Sequence, residues 1–136
     1  MSRERVASSL MIRAGLAAGA AAAMLAAAPA TAHHSYTMFD LGKEATLTGT
    51  VQEFQWTAPH AWIELNVAAR KGSAEVWSIE GMSPNYLARR GWSRHSLKPG
   101  DKISVVIHPL KDGARGGTVV RVILQDGRVL DQHGQS

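Results

Sequence analysis

The sequence contains no cysteine. That excludes disulfide staples, thiol catalysis, cysteine-type zinc sites and a lipid anchor on a lipobox cysteine. Net charge is also scarce. Of 15 basic and 11 acidic residues, Arg3, Arg5, Arg13 and Glu4 lie among the first 32, which leaves 12 against 10 beyond them. A domain so nearly neutral has no dense basic stripe and is not built for nucleic acid. No phosphate loop or dinucleotide fingerprint occurs, because Gly113–Gly117 lacks the lysine and the following helix. Ser35, Ser83 and Ser96 have no nucleophile elbow around them. Glu64, Glu75 and Glu80 fall on strands with no evident acid–base pairing; Glu80, next to Gly81, fits a barrel mouth or a solvated strand edge equally well. The sequence therefore reads as a binding module rather than an enzyme.

Apolar residues run long in one place only. Ala14–Ala28 is almost entirely Ala, Leu, Gly and Met, and follows the three arginines. Basic start, apolar stretch and small residues, in that order, read as a cleavable secretion signal over 1–32. The run is too short and too Ala-rich for a stable membrane anchor. Ala30-Thr31-Ala32 is the expected cut, leaving His33 first; Ala28-Pro29-Ala30 is the alternative, leaving Thr31 first. There is no twin-arginine pair, so the general secretory route is the simpler one. The expected location is periplasmic or secreted, with an unidentified periplasmic ligand or protein as partner.

The rest of the chain is patterned in twos. Residues 33–43 read as an extended arm, 44–131 as one β domain and 132–136 as a disordered tail. Leu47, Gly49 and Val51 alternate with threonines, then Phe54 and Trp56 fall on the opposite parity. A β-bulge near Gln52–Glu53 reconciles the two halves. Further strands are expected at 61–69 (Ile63, Leu65, Val67 inward), 75–81 (Trp77, Ile79), 102–108 and 118–125, with a short extension at 128–131. Ser83-Pro84 opens a helix as N-cap and first helical residue, and Gly91 closes it. Five strands with one short helix between the third and fourth is the order of an OB-like barrel. An open sheet or small sandwich is the alternative.

Several motifs occur in sequence: Ala32-His33-His34-Ser35, Trp56-Thr57-Ala58-Pro59-His60-Ala61-Trp62, Gly81-Met82-Ser83-Pro84-Asn85, Arg89-Arg90-Gly91-Trp92 and Leu97-Lys98-Pro99-Gly100-Asp101. Together they resemble a family of small exported bacterial proteins known only as a domain of unknown function. The resemblance implies a periplasmic single domain and no activity.

Two candidate sites follow from side-chain chemistry. If His33 is the first residue, its α-amine and ring chelate one ion, and a second imidazole completes a three-nitrogen brace suited to copper. If Thr31 is first, His33 stands third, the position that binds Cu(II) in a square plane. His34 adjoins it. His60, in a proline turn between two tryptophans, is the best internal third ligand, and His108 a weaker one. The alternative is that His33 and His34 are polar residues on a loose arm. The second candidate is a ligand or partner surface formed by Trp56, Pro59, Trp62 and Trp92, set against plain core packing of the indoles. The cluster Arg89, Arg90, Arg94 and Lys98 could hold an anion; a helix C-terminus also attracts such residues.

Overall fold

The computed structural model describes residues 36–70 and 72–133. The expected secretion signal over 1–32, with His33, His34, Ser35, Lys71 and the last three residues, lies outside them. Six strands form in chain order: β1 (Ala45–Gln55), β2 (Trp62–Ala68), β3 (Ala74–Glu80), β4 (Lys102–Pro109), β5 (Gly116–Leu124) and β6 (Val129–Asp131). One short helix, α1 (Pro84–Ala88), stands between β3 and β4.

Antiparallel pairing runs β3-β2-β1-β4-β5. The ring closes by a parallel contact of β3 with β5, with Ser78 opposite Gly116, Ile79 opposite Gly117 and Glu80 opposite Thr118. This is the OB-like closed five-stranded barrel; β6 pairs only with β5, outside the ring. The open sheet and the sandwich are thereby excluded.

The alternation of β2 is realised directly. Ile63 and Leu65 are buried while Trp62, Glu64 and Asn66 face outward. In β1 the register shifts between Val51 and Glu53, where the change of parity required it. Val51 is buried, and Phe54 and Trp56 still pack on the core from beyond the bulge. That extra residue bends β1 enough to pair with β4 through its first half and with β2 through its second. The interior holds Val51, Ile63, Leu65, Ile79, Val105, Ile107, Val119 and Val122, with Leu87 of α1 and Leu97 also in the core cluster. Ser83 caps α1 by accepting from the Tyr86 N–H at 3.3 Å, Pro84 begins it, and Gly91 leaves it at a φ of 85°.

Two assignments at the ends need correction. The arm is not extended where the structure describes it. Tyr36–Met38 makes a 3-10 turn, Phe39 is buried and bridges Leu110, and the Lys111 N–H donates to the Met38 carbonyl. Buried aromatic area drives that docking, which the missing periodicity of the segment concealed. Nor is Gln132 part of a loose tail. It is fully buried, and its amide donates to the Val119 carbonyl and accepts from the Met82 N–H, both at 2.9 Å.

Candidate functional site

His60 sits in the β1–β2 turn, after a cis Ala58–Pro59 bond. Its backbone neighbourhood is fixed by the start of β2 and the end of β3. The Gly81 N–H donates to the Ala61 carbonyl, and the Ala61 N–H donates to the Met82 carbonyl. The turn is therefore stitched to residues 81–82, and the His60 ring meets Glu80. Nδ1 of His60 bonds Oε1 of Glu80. An ionised carboxylate only accepts, so against an ionised Glu80 the ring donates from Nδ1. The two partners differ in exposure: the His60 side chain is 29% accessible and that of Glu80 only 7%.

Glu80 is buried on what period two makes the outer face of β3. It lies opposite Trp62 in the register. Closure by β5 accounts for the burial, because Thr118 sits beside Glu80 and its hydroxyl donates to the Glu80 carbonyl at 3.2 Å. A buried carboxylate needs a partner, and the imidazole supplies it.

Tyr36 completes the cluster from the N-terminal side. Its hydroxyl donates to the Met82 sulfur at 2.7 Å. Its ionisation is pushed above the usual phenol range, first by burial and then by the negative charge of Glu80 and by Tyr86. Met82 in turn packs on the core and is held by Gln132. An imidazole, a carboxylate, a thioether and a phenol thus come together at one edge of the barrel.

The elevated phenol value sets a prediction. The folded chain keeps the Tyr36 proton to higher pH than the unfolded chain. The stability this supplies is whole below the ordinary phenol value of 10.0 and is lost as pH rises through the higher folded value. Urea unfolding of the wild type should weaken more steeply above about pH 10 than that of Tyr36→Phe. Parallel profiles for the two proteins would refute the assignment.

The other sequence candidates separate. Trp56 packs on the core and meets Phe54 edge-on at 5.7 Å. Trp62 faces outward beside Glu80, so of the indoles proposed as a partner surface it is the one adjoining His60. Trp92 does not belong to that surface. It is 4% exposed, in the core, with its indole N–H donating to the Asp131 carbonyl at 3.0 Å. Its size suggests a platform, but the indole packs in the core cluster, and the Trp92 backbone N–H donates to the Leu87 carbonyl at the end of α1. His108 turns to the arm, with Nδ1 2.8 Å from the Lys43 carbonyl. Arg90 stacks on Tyr86 at 3.6 Å, the helix-end role. Among the described residues no three His, Asp or Glu side chains gather at one point, and no helix is long and apolar enough to cross a membrane.

The sequence does not single out Tyr36 or Met82 as site residues. They are 46 positions apart, and no local spacing links them. Glu80 was visible as a residue near a barrel mouth, but its burial depends on a parallel strand pairing.

Comparison with known proteins adds little beyond a grouping. No curated protein matches the chain. No solved structure matches it either. One family model, described as a family of unknown function (DUF6152), matches residues 21–121, which span the barrel up to the middle of β5. The chain belongs to that family, DUF6152.

Proposed function

We propose that this chain is a non-enzymatic binding module of the periplasm that takes up a copper ion, with His60 as the ligand from the barrel and His33 and His34 as ligands from the arm. The observation that carries the reading is the His60–Glu80 pair. A metal-binding histidine commonly donates its other ring N–H to a carboxylate, which fixes the tautomer and raises the basicity of the coordinating nitrogen. Here that carboxylate is buried and the imidazole is partly exposed.

The test is the intact mass of the exported protein with and without one equivalent of copper. The expected result is a chain starting at His33 or Thr31 and a one-copper adduct. That adduct should be lost in His33→Ala and weakened about tenfold or more in His60→Ala, as it should be in Glu80→Gln. A different first residue, or no adduct at micromolar protein, overturns copper binding. The outward Trp62 and the Pro59 turn would then be the surface to examine for a metal-free partner.

A further inference from the structure

A hollow that shares no residue with the His60 cluster lies where the loop after α1 meets the start of β4 and the β5–β6 turn. It is open to solvent and has a volume of about 570 Å³. Its floor is apolar, from Ile103 and Leu124. Three cations line it: Lys98, Lys102 and Arg128.

Two carboxylates line it too, and both are already engaged. Asp101 accepts from the Lys98 backbone N–H at 2.9 Å, closing its own turn. Asp126 accepts from the Arg128 side chain at 2.7 Å and from its backbone N–H at 3.0 Å. The arginine thus has its Nε committed to Asp126. Among the described residues the ammonium groups of Lys98 and Lys102 have no carboxylate within 4.0 Å. The hollow continues into a smaller one of about 140 Å³ that shares Lys102, Ile103 and Leu124 and adds Ile123. At that far end Thr48 and Ser104 hydroxyls bond each other at 2.9 Å. The groove is charged at one end, apolar along its floor and hydroxylated at the other end.

We propose that this groove binds a small organic phosphate monoester, with the phosphate between Lys98, Lys102 and Arg128 and a short apolar body over Ile103 and Leu124. Charge-assisted bonds from ammonium and guanidinium groups favour a dianionic head. The apolar floor distinguishes such a ligand from free phosphate, since each methylene that leaves water contributes.

The experiment follows backbone amide shifts of the isotope-labelled protein against butyl phosphate, inorganic phosphate and butanol. Butyl phosphate should saturate shifts at Lys98, Lys102, Gln125 and Arg128 and bind about tenfold more tightly than inorganic phosphate. Butanol should not compete. The double variant Lys98→Gln, Lys102→Gln should lose about tenfold per ammonium removed. Both side chains are exposed, so the double variant should keep the amide spectrum of the folded protein away from the groove. Lys102→Glu alone should abolish binding. Equal affinity for the two phosphates, saturation elsewhere, or an undiminished double variant each overturns the site. Phosphatidic acid vesicles form a separate arm. Sedimentation that the double variant loses identifies a lipid as the source of the monoester; free vesicles with butyl phosphate bound identify a soluble one.

Discussion

Gly49→Ala should destabilise the barrel by about 3 kcal/mol, although alanine is the smallest possible addition. Gly49 lies on the inward parity of β1, in the segment that pairs with β2 and β4 at once. A Cβ there would stand 2.3 Å from the Asn66 carbonyl oxygen and 3.1 Å from Cγ of Leu65. The nearest obstacle is backbone of β2, held in its own ladder to β3, so it cannot swing aside as a side chain would. Removing a glycine from a strand ordinarily gains about 0.5–1 kcal/mol through the unfolded chain. The clash must exceed that gain, and overpacking of a closed core does. Gly127→Ala is the comparison. It has a φ of 86° and nothing within 4 Å, so it meets backbone strain without a clash and should cost only about 1 kcal/mol. Urea unfolding followed by tryptophan fluorescence measures both. Gly49→Ala should move the midpoint down by about 2 M. Equal, mild effects at the two glycines would mean that β1 and β2 can separate at this corner without loss.

The parts of the fold that were legible in the sequence are the ones written locally. Ile63 and Leu65 alternate because β2 has one face in the barrel and one outside. The parity change between Val51 and Phe54 marks the bulge, since a strand cannot switch faces without an extra residue. Ser83, Pro84 and Gly91 announce α1 by their backbone chemistry alone. What remained hidden depends on contacts distant in sequence. Nothing near Glu80 says that β5 will cover it; that follows from the parallel closure. Tyr36 gave no signal because a single turn has no period, and its partner Met82 is reached only through the folded barrel. Trp92 misled because one indole on a loop looks the same whether it serves as a platform or as core. The site was legible at His60 through its proline turn between indoles, and not legible in the residues that orient it.

Gln132→Ala should cost about 3 kcal/mol and should also disturb the His60 cluster. The side chain spans two buried places. It accepts from the Met82 N–H and donates to the Val119 carbonyl, each at 2.9 Å, and its own N–H donates to the Val120 carbonyl at 3.2 Å. Alanine keeps the last bond and removes the other two. Each group left without a partner costs about 1–3 kcal/mol, more than the bond itself contributes, because no water replaces the amide in a fully buried place. Asn is one methylene too short to span both groups and should recover less than half of the loss. The second effect travels through Met82. Once its backbone N–H loses Gln132, Met82 holds Tyr36 less firmly on the barrel; as Tyr36 loses burial and moves from Glu80, the causes of its raised ionisation, that value should fall toward that of a free phenol. Urea unfolding measures the first effect and a phenolate absorbance titration the second. A stability loss under 1 kcal/mol would place Gln132 among surface residues despite its burial. A large loss with the Tyr36 titration unchanged would separate the C-terminal anchor from the cluster, and Met82 would then be held by its core packing alone.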